Sequence, residues 1–100
     1  MEEKLLKIIN HYGVNHQQRK LQEEVFELQE AIITNELIKS VEYEIPLTEI
    51  VGTKELITEE LADVMVLLEQ IKLYFGITSR EVTEIFWSKV DRQIVRIENE

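Results

Sequence analysis

The sequence predicts an all-α protein, a single domain over residues 1–100 in which four helices form a bundle-like fold. Three observations predict this class. The chain has one proline and three glycines, so little interrupts long helices. Apolar residues recur every three or four positions, the spacing that places them on one helix face. A capping-box sequence, which marks a helix start, runs from Thr78 to Glu81.

The first two helices are predicted on either side of Gly13. The first covers residues 2–11 and ends at this glycine, and its apolar side consists of Leu5, Leu6, Ile8 and Ile9. Asn15 is predicted to cap the second helix, which covers residues 16–39. The second helix has the i, i+4, i+7, i+11 pattern of one buried face, formed by Leu21, Val25, Leu28 and Ile32.

The last two helices follow a less regular stretch, residues 40–52, which we interpret as a connection. Thr53 is predicted to cap the third helix, which covers residues 54–75 and stops at Gly76. Its apolar face consists of Leu56, Ile57, Leu61, Val64, Leu67, Leu68, Ile71 and Phe75. The fourth helix follows the capping box and runs to residue 98. Its predicted inward residues are Val82, Ile85, Phe86, Val90, Ile94 and Ile97.

The composition restricts the classes of partner. The net charge is −9, from 20 acidic and 11 basic residues, which argues against nucleic acid and against an anionic membrane surface. The chain has no cysteine, which excludes disulfides and cysteine-based zinc sites. The acidic N-terminal sequence does not resemble a signal peptide, and no stretch approaches the ~20 apolar residues of a membrane span. We therefore expect a soluble, cytoplasmic protein.

Two acidic pairs, Glu24-x-x-Glu27 and Glu60-x-x-Asp63, are the most informative motifs. A helix turns by about 100° per residue. That rotation places Glu60 near the middle of the apolar face of its helix and Asp63 at the edge. Glu24 lies close to the apolar stripe of the second helix, and Glu27 lies further round. Carboxylates aimed into a bundle repel one another and are costly to desolvate, and a bound divalent cation offsets both effects.

The alternative is that these acids belong to an ordinary solvated face. In so acidic a chain the same spacing recurs by chance, as in Glu27-x-x-Glu30 and Glu81-x-x-Glu84. Glu60 is the acid that this alternative explains least well. If a metal is bound, oxygen-only ligands favour Mg²⁺ or Mn²⁺. A di-iron site would need Glu-x-x-His motifs, and neither His11 nor His16 follows a glutamate at that spacing.

The two acidic motifs together resemble a known signature. Glu23-Glu24-x-x-Glu27-Leu28 and Glu59-Glu60-x-x-Asp63-Val64 are similar to the EExxE…ExxD motifs of the all-α nucleoside triphosphate pyrophosphohydrolases, among them the MazG-like proteins. Gly13-x-x-x-Gln17 and Lys89-x-x-Arg92 also look MazG-like. The resemblance covers most of the chain. It implies a MazG-type fold and Mg²⁺-dependent hydrolysis of a nucleoside triphosphate to the monophosphate and pyrophosphate, as in nucleotide-pool housecleaning.

The resemblance also implies roles for individual residues. The metal ligands would be Glu24, Glu27, Glu60 and Asp63. Glu23 and Glu27 would be the catalytic carboxylates that orient the attacking water. Phosphates would be bound by Lys89, Arg92 and Arg96, for which the alternative is a solvated helix face. Gln17 would contact the nucleotide. The segment between the two motifs is longer than is usual in MazG-like chains, so the preferred base and sugar stay open.

A chain of this length buries only a small core, and the first helix leaves one side of the predicted site without a wall. We therefore expect a homodimer or homotetramer with the pocket near a subunit interface. Two other functions stay open. One is a non-catalytic helical module that binds nucleotides or a protein partner. The other, within the same superfamily, is hydrolysis of phosphoribosyl-ATP.

Overall fold

The computed structural model describes the backbone of residues 1–40 and 47–100, and the side chains of residues 1–37 and 54–100. These residues form four α-helices and no strand, which confirms the all-α prediction. The helices are α1 (Glu2–Tyr12), α2 (Val14–Ser40), α3 (Leu47–Tyr74) and α4 (Ser79–Glu98). Within this part of the chain, no helix is long and apolar enough to cross a membrane.

The junction between α1 and α2 is tighter than the sequence predicts. Gly13 has φ 88°, a left-handed conformation that glycine adopts without steric cost. Its N–H donates to the Ile9 carbonyl at 2.7 Å, and its own carbonyl accepts from the Gln17 N–H at 3.1 Å. One residue thus ends α1 and begins α2. The predicted Asn15 cap is wrong, because Asn15 lies inside α2.

The start of α3 also differs from the prediction. The helix begins at Leu47, so Thr53 lies inside it and is not a cap. The predicted connection is therefore helical from residue 47 onward, and residues 41–46 lie outside the described residues.

The turn between α3 and α4 follows known capping chemistry. Gly76 has φ 66°, and the Ile77 N–H donates to the Lys72 carbonyl at 2.8 Å, the long bond of a glycine-based helix end. The predicted capping box is confirmed. The Thr78 hydroxyl accepts from the Glu81 N–H at 3.1 Å, while Glu81 accepts from the Thr78 N–H at 2.7 Å.

The core lies where α1, α2 and α3 meet. Gln17 near the start of α2 bonds to Gln70 near the end of α3, and Glu24 lies beside Glu60, so these two helices run antiparallel. Among the described residues, the buried apolar side chains are few: Ile9, Ala31, Val64 and Leu67. The buried polar side chains Gln17, Glu24 and Gln70 lie in the same layer, between α2 and α3.

The position of α4 is the main departure from the predicted bundle. Among the described residues, extended packing joins α1, α2 and α3 to one another and does not include α4. Of the apolar residues predicted to face inward, Val90 is half-buried and the others are exposed, from Val82 at 39% to Ile97 at 62%. The turn at residues 75–78 directs α4 away from the other three helices, so a single chain does not close a four-helix bundle.

Candidate metal centre

The packing of α2 against α3 brings three of the predicted metal ligands together. Glu24, Glu60 and Asp63 each offer one carboxylate oxygen, and these oxygens lie within 4.8 Å of one another. Glu60 and Asp63 are one helical turn apart on α3, and Glu24 approaches from α2. Glu24 is buried with 7% of its surface exposed, Glu60 is half-buried, and Asp63 is exposed at the edge. On α3 the order agrees with the helical spacing, which predicts that Glu60 lies nearer the apolar face than Asp63.

Glu24 has two oxygens in different situations. Its Oε1 lies 3.2 Å from the Lys20 ammonium, which also lies 3.5 Å from Glu23. The hydrogen bond and charge of Glu24 raise the pKa of Lys20. The other oxygen, Glu24 Oε2, is enclosed and has no hydrogen-bond partner among the residues that the structure describes. A buried carboxylate oxygen without a partner is costly, and a bound cation is one group that would satisfy it.

Glu60 shows the same feature. Its Oε2 is enclosed and, within the described part of the chain, lacks a hydrogen-bond partner. Burial raises the pKa of Glu60, and the nearby charges of Glu27, Glu24 and Asp63 raise it further. A hydrogen bond with Glu27 also favours the protonated form. The main cause is therefore burial of the carboxylate, and the crowding of negative charge around it is the second.

These observations fit a hard divalent cation. The donors are all carboxylate oxygens, the chemistry that Mg²⁺ and Mn²⁺ prefer. Among the described residues, the enclosed side-chain oxygens without partners are Glu24 Oε2 and Glu60 Oε2, and both residues belong to the cluster of three. A cation there would satisfy both atoms and neutralise the repulsion that raises the pKa of Glu60. The residues present therefore suit a metal ion.

The two predicted catalytic carboxylates lie beside this cluster. Glu27 is exposed and lines a cleft together with Glu60 of the cluster. The other lining residues are Glu30, Ala31, Thr34 and Leu56. Glu23 is exposed, pairs with Lys20, and lines a separate groove with Tyr12 and His16. Glu27 therefore adjoins the three-carboxylate cluster directly, whereas Glu23 is linked to it through Lys20.

Gln17 lies buried in the contact between α2 and α3. Only 4% of its surface is exposed. Its Nε2 donates to Gln70 Oε1 at 2.8 Å, and its Oε1 lies 2.7 Å from His16 Nδ1. The amide is thus used to join α2 to α3, and its contact with a nucleotide stays a prediction. Gln70 and Lys20 are the residues that sequence reasoning missed. Only Lys20 had a local signal, its i, i+4 spacing to Glu24.

The predicted phosphate-binding residues are on α4. Lys89, Arg92 and Arg96 are all exposed. Since α4 makes no extended contact with α2 among the described residues, packing within one chain does not bring them to the carboxylates. Their role in binding phosphate also stays a prediction.

Comparisons of this chain with protein-family models, with curated proteins and with solved structures found no match. The resemblance to MazG-like pyrophosphohydrolases therefore rests on the sequence motifs alone. The carboxylate cluster is an independent observation from the structure.

Proposed function

We propose that this chain hydrolyses a nucleoside triphosphate to the monophosphate and pyrophosphate in cytoplasmic nucleotide-pool housecleaning, and that it depends on Mg²⁺ or Mn²⁺. The observation that carries the proposal is the pair of enclosed, partnerless oxygens, Glu24 Oε2 and Glu60 Oε2, in one cluster with Asp63. The sequence motifs supply the reaction class, and the cluster supplies the cation site that this reaction needs.

In this proposal Glu24, Glu60 and Asp63 hold the cation. When bound, it would neutralise charge on the phosphate oxygens and lower the pKa of coordinated water. Lys20 places a positive charge 3.2 Å from Glu24 Oε1 and so offsets part of the negative charge of the cluster. The cleft that adjoins the cluster through Glu27 and Glu60 is open, so a phosphate chain has access to it.

Glu27 is the best-placed general base of the proposal, because it adjoins Glu60 and remains exposed to the cleft. A water oxygen attacks the α-phosphorus and forms a new P–O bond while the bond to the bridging oxygen of pyrophosphate breaks. The water proton passes to a carboxylate, for which Glu27 is the candidate and Glu23 the accessory. Lys89, Arg92 and Arg96 would stabilise the leaving pyrophosphate, and a homodimer or homotetramer would supply the missing wall of the site.

A second candidate is a protein that binds metal and nucleotide without turnover. One observation favours it: in a single chain, α4 and its basic residues do not pack against the helices that carry the carboxylates. Such a cluster can bind a metal ion, yet within one chain it lacks the α4 cations that the proposal assigns to the departing pyrophosphate.

The test is a product analysis over a panel of canonical and damaged nucleoside triphosphates, with Mg²⁺ and with EDTA. We expect monophosphate and pyrophosphate from at least one substrate, no reaction in EDTA, and at least a ~100-fold loss of rate in Glu60→Gln. Glu55→Gln is the matched control, because Glu55 is an exposed acid on the same helix. Binding of Mg²⁺ and nucleotide without products would support the second candidate, and diphosphate as the product would overturn the proposed reaction.

A further inference from the structure

The contact between α2 and α3 repeats every seven residues. Within the described part of α2, the buried and the half-buried side chains each recur at this interval. The buried ones are Gln17, Glu24 and Ala31, and the half-buried ones are Val14, Leu21, Leu28 and Asn35. On α3 the same interval relates Ile57, Val64 and Ile71 in one series and Glu60 and Leu67 in another. This heptad pattern is typical of two helices that pack side by side along their length.

The apolar layers of this contact resemble one another. Leu21 and Leu28 are the same residue type, and Val64 and Ile71 are both β-branched. Aliphatic side chains of similar volume replace one another in a core at small cost. A displacement of α3 along α2 by one repeat therefore sets one aliphatic layer against another. Apolar packing discriminates weakly between such registers, and polar side chains within the contact are what specify one of them.

Two polar layers interrupt the apolar ones. In the acidic layer, Glu24 of α2 faces Glu60 and Asp63 of α3. In the glutamine layer, Gln17 of α2 faces Gln70 of α3. Gln17 is seven residues before Glu24, and Gln70 is seven residues after Asp63. In antiparallel helices the register that pairs the two glutamines therefore also pairs Glu24 with Asp63, about 10 Å further along the axis.

The two layers act in opposite directions when no cation is bound. The acidic layer destabilises this register, because its crowded carboxylates repel one another. The glutamine layer stabilises it: Gln17 Nε2 donates to Gln70 Oε1 at 2.8 Å, and the two side chains are only 4% and 1% exposed. Displacement of α3 by one helical turn, about 5 Å, would break this bond and leave a buried amide without its partner.

His16 fixes the direction of the Gln17 amide. Its Nδ1 lies 2.7 Å from Gln17 Oε1, so the tautomer with hydrogen on Nδ1 donates to that oxygen. With its oxygen occupied, the amide turns its NH₂ group towards Gln70. The Gln17 backbone N–H also donates to the Gly13 carbonyl at 3.1 Å, which anchors the residue in the first turn of α2. Gln17 is thus a fixed point against which α3 is aligned.

We infer that Gln17 and Gln70 are positioning residues: their bond sets the register of α3 on α2 and so holds Glu24 opposite Glu60 and Asp63 before a cation binds. This inference rests on the proposed function, because it gives the glutamines a role in assembling the proposed cation site. The consequence is preorganisation. A cation that meets its ligands already in place binds without the cost of bringing repelling carboxylates together.

The test variant carries Gln17→Leu and Gln70→Leu together. Leucine leaves no amide buried without a partner, so the double variant should fold and unfold cooperatively. We expect its affinity for Mg²⁺, measured by titration calorimetry, to fall by about 10–100-fold, the usual effect of removing a group that orients metal ligands. Gln18→Leu is the matched control. Gln18 is the exposed neighbour of Gln17, so this variant should bind Mg²⁺ as the wild type does.

The register itself is measured as the distance between two spin labels in EDTA. The chain has no cysteine, so Gln22→Cys on α2 and Thr58→Cys on α3, both at exposed positions, create the labelling sites. Dilution with unlabelled protein removes distances between copies. Displacement by one helical turn moves the labels by about 5 Å along the axis. We expect one narrow distance without the leucine substitutions and a displaced or broadened distribution with them, which excess Mg²⁺ returns to the narrow distance.

The two measurements separate the inference from the proposed function. An unchanged distance in the double variant in EDTA would overturn the inference, and so would Mg²⁺ affinity equal to that of the wild type. If the wild type binds no Mg²⁺, the proposed cation site fails, whereas a displaced distance in the variant would still show that the glutamines set the register. If the double variant does not fold, Gln17→Asn shortens the side chain and tests the same bond by the same two measurements.

Discussion

The substitution Glu60→Gln should change stability in opposite directions with and without Mg²⁺. In EDTA the variant should melt at a higher temperature than the wild type, because it removes a carboxylate that is crowded by Glu24, Glu27 and Asp63. In Mg²⁺ it should melt lower, because the cluster of three ligands loses a member. An amide of the same size fills the same space, so the two effects report charge rather than packing.

The size of the Mg²⁺ effect follows from mass action. A ligand present at 100 times its Kd stabilises the folded state by about 2.7 kcal/mol. In a domain of this length each kcal/mol raises Tm by about 4–8 °C, so the wild-type shift should be about 10–20 °C. Loss of one of three carboxylate ligands should weaken binding by about 100-fold or more. At the same Mg²⁺ concentration the shift should then fall to about 2–3 °C.

The assay is thermal unfolding by circular dichroism over a Mg²⁺ titration at constant ionic strength. Glu55→Gln removes an exposed acid from the same helix and controls for the change in net charge. It should keep the full wild-type shift. If the wild type shows no shift at millimolar Mg²⁺, or if the two variants respond alike, the assignment of the carboxylates as metal ligands is wrong.

Three further predictions concern titration, the buried amides and the helix cap. Because the pKa of Glu60 is raised, protonation of this carboxyl stabilises the metal-free fold. In EDTA the Tm of the wild type should therefore rise relative to that of Glu60→Gln as the pH falls from 7 towards the ordinary glutamate range. Parallel Tm–pH curves for the two proteins would contradict this. Hydrogen bonds from Thr78 lower the pKa of Glu81, so the ionised Glu81 stabilises the fold at neutral pH and this stabilisation is lost at acidic pH. The pH dependence is thus opposite to that expected for Glu60. Gln70→Leu should lower the free energy of unfolding in urea by about 1–3 kcal/mol, because the buried Gln17 Nε2 loses its acceptor. Adding Gln17→Leu should recover part of that loss, and strict additivity of the two substitutions would refute the pairing. Thr78→Ala should cost about 1 kcal/mol by removing the α4 cap, whereas the neighbouring Ser79→Ala should cost less, and equal losses would argue against the capping role.

The local signals in the sequence predict much of the fold. Gly13 and the Thr78–Glu81 capping box mark helix boundaries because their effects act within one turn. The spacing of Glu24 and Glu60 against apolar neighbours predicts their burial because helical rotation is regular. The Asn15 prediction was wrong for a local reason as well: the carbonyl of Gly13 already accepts the first bond of α2, so the helix starts before Asn15.

The features that the sequence does not predict depend on distant parts of the chain. Gln17 is buried because Gln70, 53 residues later, supplies a partner for its amide. The direction of α4 depends on the backbone of the turn that contains Gly76, and no periodic pattern encodes that direction. For the same reason, the pattern identifies the apolar face of α4 without specifying whether its own chain or a second copy covers it.

The most direct test of the proposed reaction is hydrolysis in H₂¹⁸O of the nucleoside triphosphate that the panel identifies, with the products weighed by mass spectrometry. Attack of water on the α-phosphorus predicts Mg²⁺-dependent incorporation of one ¹⁸O into the nucleoside monophosphate and none into pyrophosphate. Label in pyrophosphate or in inorganic phosphate would contradict attack at the α-phosphorus. A reaction that continues undiminished in EDTA would contradict the role assigned to Glu24, Glu60 and Asp63.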